Sequence, residues 1–274
     1  MSTGPQGGTP SGGTGGSGTE RDTDRDRGRT AGGRPATNRP SAAAAGVPTT
    51  DPAAPRGTDQ PFPGTDQRPP GQPGQLYAET FRAEDPAAAA ARARAAEVGV
   101  VPVSPGVATT LTFLAATVGA GAAVEIGTGT GVSALALVAG LRSGGILTSV
   151  DVEGEHHRLA RTAMTEAGIA PTRARLINGR ALDVLPRLTD GAYDIVFADA
   201  DAAENEDYLS EALRLLRRGG IVAFNAALAD GVADPTRRDA ATERALHATV
   251  RDHERLSSVL LPVGSGLLVA SVTS

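Results

Sequence analysis

The residues most able to do chemistry lie just after short apolar runs. The segment Val124-Glu125-Ile126-Gly127-Thr128-Gly129-Thr130-Gly131-Val132-Ser133 places a carboxylate near the end of one run, alternating glycines after it, and a hydroxyl beyond. Glycines allow a tight turn and let a ligand approach the backbone closely. A helix starting there offers unpaired N–H groups to a carboxylate or phosphate. The glycines run G-x-G-x-G, which is not the G-x-G-x-x-G of a dinucleotide site. Taken alone they also fit an ordinary strand-to-helix turn. Asp151 ends the next apolar run, 24 residues after Gly127. An acidic group there can accept the ribose hydroxyls of an adenosine cofactor, or simply cap the following helix. The run Tyr193–Ala198 ends in Asp199-Ala200-Asp201, whose carboxylates could hold a metal, orient a substrate, accept a proton or solvate a loop.

These residues need a scaffold that brings strand ends together, and the pattern of elements supplies one. Tyr77 to Val98 is Ala-rich with Arg and Glu and reads as helix, with Asp85-Pro86 suited to a helix start. After the turn Pro102–Gly106 an apolar helix covers Val107 to Val118. The expected strands are Ala122–Ile126, Ile146–Val150 with Asp151 at its end, Arg173–Ile177, Tyr193–Ala198 and Ile221–Phe224, the last set off by Gly219-Gly220. Helices are expected at Val132–Leu141, Glu155–Ala167, Ala181–Leu188, Tyr208–Leu216 and Asp239–Arg251. Two final runs, Leu256–Val263 and Leu267–Val272, join around Gly264-Ser265-Gly266 as a hairpin. Alternating strands and helices predict an α/β fold: a mostly parallel sheet with helices on both faces and a C-terminal antiparallel hairpin. Ligands of such sheets bind beyond the carboxyl ends of the strands, at the switch point.

Composition narrows the chemistry. Residues 1–75 hold 16 of the 35 Gly and 12 of the 19 Pro, too little apolar surface to offset ordering entropy. They are expected to be a disordered tail, with one domain over 76–274. The charged island Glu20–Arg29 within it reads as a solvated linker, with a partner-binding arm as the alternative. The chain has no Cys, which excludes disulfides, a thiol nucleophile and thiolate zinc sites. All 26 basic residues are Arg, which excludes a P-loop lysine, a lysine Schiff base and the Tyr/Lys pair of short-chain dehydrogenases. The net charge of −5 leaves no nucleic-acid footprint. No apolar run approaches a membrane span, the N-terminus lacks the apolar core of a signal peptide, and the expected location is the cytoplasm.

Together the Gly-rich turn, Asp151 and the D-A-D segment resemble the class I S-adenosylmethionine-dependent methyltransferases. The match is to the small-molecule O-methyltransferases that include the catechol and caffeoyl-coenzyme A enzymes, in an actinobacterial flavour, from about Leu76 to the C-terminus. The E-x-G-x-x-x-G-x-S pattern appears as Glu125, Gly127, Gly131 and Ser133. The resemblance implies a Rossmann-like methyltransferase sheet, S-adenosyl-L-methionine as cofactor, a small hydroxylated, phenolic substrate and a homodimer. It implies that Val103 lines the cofactor pocket, Glu125 holds the cofactor's amino end or orders the loop, and Gly127 and Thr128 approach by backbone. Ser133 would bind the cofactor carboxylate, Asp151 the ribose and Ala181 the adenine. Asp201 would sit beside the cofactor and Asp199 would face the substrate as the candidate catalytic residue.

Two positions depart from that pattern. Metal-dependent members add to the first Asp of D-A-D an Asp-Asn pair after the next strand; here the pair reads Phe224-Asn225. The Lys that follows D-A-D is here Ala202. The expectation is methyl transfer without a metal, with Asp199 or Asp201 available for a modest proton transfer. His156 and His157 are expected at the surface, while His247 and His253 have no partner legible in sequence, so no base is named. A regulatory S-adenosylmethionine-binding protein is the alternative, and a nicotinamide-dependent oxidoreductase a more distant one.

Overall fold

The computed structural model describes residues 73–228 and 240–273. Its helices are α1 (Pro73–Thr80), α2 (Pro86–Glu97), α3 (Pro105–Thr117), α4 (Val132–Gly140), α5 (Gly154–Glu166), α6 (Ala181–Val184), α7 (Asn205–Leu215) and α8 (Ala241–Asp252). Its strands are β1 (Ala122–Ile126), β2 (Ile146–Asp151), β3 (Ala174–Asn178), β4 (Tyr193–Ala198), β5 (Leu216–Phe224), β6 (Leu256–Leu261) and β7 (Leu267–Val272). The strands form one seven-stranded sheet in the order β3-β2-β1-β4-β5-β7-β6. Strands β1 to β5 pair in parallel, and β7 runs antiparallel to both β5 and β6. This is the Rossmann-like α/β architecture expected.

Successive strand residues point to opposite faces, and two cores result. Ala123, Leu147, Ile195, Phe197 and Ala223 pack beneath α2, α3, α4 and α5. Val124, Ile126, Val196, Val222 and Phe224 pack beneath α6, α7 and α8. The chain moves outward from β1 through β2 to β3, then returns to β4 on the other side of β1. The strand order therefore reverses between β1 and β4, and the crevice at their carboxyl ends receives the Gly-rich turn, Asp151 and Asp199.

Four sequence expectations change. The helix expected over 77–98 is two helices, because a residue before proline avoids helical backbone. Asp85 is extended at φ −61°, ψ 140°, and its side chain caps α2 by accepting from Ala87 N. The tail expected through residue 75 lies outside the described residues up to 72, but residues 73–75 already belong to α1. Gly219-Gly220 lies inside β5 rather than bounding it. Pairing shifts from Tyr193–Leu216 to Ile195–Ile221, so the glycines fall in an irregular stretch, Arg217 to Gly220, within the strand. A Cβ at Gly220 would fall 2.9 Å from the Arg217 carbonyl oxygen. The last long helix starts at Ala241, and Asp239 lies outside the described residues.

Candidate active site

The turn after β1 is built around a close backbone approach. Gly127 has φ 91°, and a Cβ there would lie 2.2 Å from the Asp199 carbonyl oxygen. Asp199 N donates to Ile126 O at 2.8 Å, and Gly127 N donates to Val150 O at 2.8 Å. Only a glycine lets the ends of β1, β2 and β4 meet this tightly. Gly131, at φ 94°, caps α4 without a side-chain hydrogen bond. A Cβ there would meet Ala160 of α5 at 3.0 Å.

Asp151 holds this turn in place. Its Oδ2 accepts from Thr128 N at 2.9 Å and Gly129 N at 3.0 Å, and its Oδ1 accepts from Glu153 N at 2.9 Å. His156 Nδ1 lies 3.1 Å from Oδ2. Burial raises the Asp151 pKa, but the backbone N–H groups of Glu153 and Gly129 and the His156 ring outweigh it and hold the carboxyl below its ordinary value. Asp151 is therefore ionised and already shared with the loop, a role the sequence did not disclose.

Behind the turn a buried chain of hydroxyls ends on Glu125. Register places Glu125 beside Ser149, and Ser149 Oγ donates to Glu125 Oε2 at 2.5 Å. Thr128 Oγ1 lies 2.6 Å from Ser149 Oγ and is left to donate to it. Glu125 is fully buried and its Oε1 has no hydrogen-bond partner among the described residues. Desolvation pushes its pKa up to about 8, against the Ser149 and Ser133 hydroxyls and with the help of Asp199 and Asp151. A buried oxygen with nothing to accept from suits a cationic or N–H group arriving from outside.

Two clefts meet over these residues. One, of about 410 Å³, is lined by Val152, Ala181, Asp201, Glu204 and Tyr208. The other, of about 130 Å³, is lined by Val103, Thr128, Thr130 and Ser133. Gly127, Asp151, His156 and Asp199 line both. The larger has apolar walls at Val152 and Ala181 for a flat ring; the smaller has polar groups and the start of α4 for a zwitterionic end. The residues present fit an adenosine joined to an amino acid. A larger depression of about 600 Å³, lined by Arg82, Thr109 and Arg173, lies along α3 and α4, away from the strand ends.

Asp199 also lines a third cavity, of about 70 Å³, together with Asn205, Phe224, Asn225, Glu243 and His247. Asn225 Nδ2 donates to Asp199 Oδ1 at 2.9 Å. Burial raises the Asp199 pKa and the Asn225 bond partly offsets it. The resemblance's metal set does not fit here. Phe224 is 1% exposed within the core and offers no oxygen, and the amide nitrogen of Asn225 faces Asp199. Asp201 and Glu204 do not repair the set. Asp201 caps the turn by accepting from Ala203 N at 3.0 Å, and Glu204 binds Arg180 and Tyr208. Asp230 lies outside the described residues.

All the expected site residues converge here except that Glu125 sits behind the clefts rather than in their walls. The surface position expected for His157 is corrected, whereas His156 is part-exposed as expected. His157 is 2% exposed, because it shares the inner face of α5 with Ala160 and Met164, a spacing of three and seven. His156 lines both clefts. Glu243 and His247 were missed; their i, i+4 spacing was visible, but nothing local says which strand ends α8 passes.

The O-methyltransferase family profile matches residues 88–272. A Mycobacterium tuberculosis protein named as an O-methyltransferase is 50% identical over 141 residues, which is 50% of this chain. The chain spans about 63% of the length of such curated relatives. Among solved structures, a Corynebacterium glutamicum protein is 36% identical with a TM-score of 0.68, covering 73% of this chain and 95% of that one. TomG, an O-methyltransferase of Streptomyces achromogenes in complex with S-adenosylmethionine, is 30% identical with a TM-score of 0.65, covering 73% of this chain and 96% of its own.

Proposed function

The chain belongs to the O-methyltransferase family, and on that premise we propose that it transfers the methyl group of S-adenosylmethionine to a hydroxyl oxygen of a small phenolic molecule, without a divalent cation held by the protein. The observation that carries this reading is the junction at Asp199. One side of it opens to the clefts suited to adenosine and an amino acid, and the other to a small cavity of mixed polar and apolar lining.

In this reading Asp151 and Ala181 hold the ribose and adenine, with Asp201 at the rim. Ser133 binds the carboxylate end where the backbone of Gly127 and Thr128 passes close by, Val103 closes over it, and Glu125, ionised once the ammonium arrives beside it, accepts from the amino group. S-adenosylmethionine supplies, when bound, a methyl group on a sulfonium that is displaced in line. The protein's part is then mostly alignment, for which proximity alone can supply ~7–11 kcal/mol. Asp199, fixed by Asn225, orients the acceptor hydroxyl. The exposed Leu76 and Tyr77 on α1 and Phe81 just after it support a homodimer.

The test combines titration calorimetry, turnover and light scattering. S-adenosylhomocysteine should bind and NAD should not. Methyl transfer to catechol should persist in excess EDTA, and added magnesium should change its rate less than about threefold, ~0.7 kcal/mol of barrier. Activity abolished by EDTA and restored by magnesium would sink the metal-free reading. Binding without transfer to any phenol would favour a regulatory binding protein, for which Phe224 and Ala202 speak. The mass in solution decides the dimer.

A further inference from the structure

A methyl transfer to a hydroxyl must place a proton somewhere, and Ala202 and Phe224 remove two of the groups that could help. The cavity beside Asp199 contains a candidate outside the cofactor clefts. His247 stands four residues after Glu243 on α8, and both line that cavity with Asn205 and Asn225. Residues at this spacing share one helix face. The His247 ring donates to the backbone of Ala227. Its Nε2 is buried and has no hydrogen-bond partner among the described residues, so the donor is Nδ1. A neutral ring with its hydrogen on Nδ1 carries its lone pair on Nε2.

We propose that His247 is the general base of the reaction, taking the proton of the acceptor hydroxyl on Nε2 inside the cavity that Asp199 joins to the cofactor clefts. The proposal rests on the methyl-transfer reading above. The acceptor O–H bond breaks and its proton goes to Nε2. The phenolic oxygen uses its electron pair to form a bond to the methyl carbon of S-adenosylmethionine. The carbon–sulfur bond breaks, its pair stays on sulfur, and the thioether S-adenosylhomocysteine is left. The imidazolium then returns its proton to solvent. Glu243, whose Oε2 is buried without a partner among the described residues, stands where it stabilises the imidazolium as it forms.

The electrostatics agree. Burial lowers the His247 pKa, with the Ala227 bond and Glu243 opposing, so the ring is neutral and competent at pH 7. Among the described residues, the charged groups that line the cavity with it are Glu243 on its own helix and Asp199 at the end of β4; Asn205 and Asn225 are neutral, and no described Arg lines the cavity. Asp199 is less suited to the task, because Asn225 occupies one of its oxygens.

The test compares wild type with His247→Gln on two phenols, catechol and the more acidic 4-nitrocatechol. With catechol at pH 7.5 kcat should fall at least ~100-fold, the lower range of general-base contributions. KM and S-adenosylhomocysteine affinity should stay within about twofold, and Tm should be unchanged. With 4-nitrocatechol, which is mostly ionised at that pH, the loss should be under about tenfold. The acidic limb of the wild-type kcat profile should disappear in the variant. A second readout needs no turnover. Binding of 4-nitrocatechol to the S-adenosylhomocysteine complex below the phenol's own pKa should raise phenolate absorbance in wild type and not in the variant. Equal losses on both phenols, a catechol loss under threefold, or a phenolate signal absent from wild type or retained in the variant would overturn the base. Wild type that binds S-adenosylhomocysteine but methylates no phenol overturns the methyl-transfer reading instead, and the absorbance arm still decides His247.

Discussion

Glu125 shows how a residue legible in sequence acquires a different meaning in place. The family resemblance marks it as a ligand of the cofactor's amino end or as a residue that orders the loop. The fold adds that it is buried among Ser149, Ser133 and Thr128 with no cation near among the described residues. A carboxyl so placed is neutral at pH 7, since its pKa rises from the ordinary 4.5 to about 8. Folding therefore takes up a proton, and the stability associated with this is fully present below about pH 4.5 and is lost as pH rises through about 8. The loss is on the order of a few kcal/mol. Glu125→Gln removes the titration, so its denaturation midpoint should vary less than wild type's between pH 5 and pH 9, and should exceed wild type's at pH 9. Wild-type and variant curves that run parallel would show that Glu125 is ionised in the free protein. Asp151 is the contrasting case: its place at a strand end was readable, but its grip on Thr128 and Gly129 needed the turn's conformation. His247 was unreadable because, Glu243 apart, the groups around it come from the end of β4, α7 and the backbone after β5, all distant in sequence.

At the scale of elements, the strands and the helices between them were largely legible, because alternation and glycine punctuation are local signals. What failed depends on contacts far along the chain. Nothing near residue 80 reveals that α1 ends there, yet α1 is fixed by a remote pairing. Glu79 Oε2 accepts from Gly106 N at the start of α3, and Oε1 accepts from Gly264 N in the β6–β7 turn, each at 2.7 Å. One carboxylate thus ties the first helix to the start of a second and to the C-terminal hairpin. Hydrogen bonds to a charged group contribute about 1.5–3 kcal/mol each, and both donors are re-solvated only in part when the partner goes. Glu79→Ala should lower stability by about 2–4 kcal/mol in urea unfolding. Glu79→Gln, which keeps one acceptor, should cost less. A change under ~0.5 kcal/mol for Ala would mean that α1 is held by its apolar contacts alone.

For the whole molecule, the two-faced sheet explains why chemistry gathers at one edge of the domain. Parallel strands end on the same side, and the order reversal between β1 and β4 opens a crevice there. That much follows from the sequence of elements. The insertion of β7 between β5 and β6 follows from the hairpin only once β7 is seen to be the more apolar of the two strands. Leu267, Leu268, Val269, Ala270 and Val272 are buried, whereas Val259 and Leu260 of the edge strand β6 are exposed. The domain so closed holds its N-terminal end through Glu79, and the composition before Pro73 offers little apolar surface to add. Deleting residues 1–70 should therefore shift Tm by less than about 2 °C, roughly half a kcal/mol for a domain of this size, and leave S-adenosylhomocysteine affinity unchanged within twofold. Deleting residues 1–80 should behave differently, because it removes α1 and both Glu79 bonds and exposes the Gly106 and Gly264 N–H groups. Calorimetry on the two truncations separates the contributions. A large loss already at residue 70 would mean that segments before α1 pack on the domain.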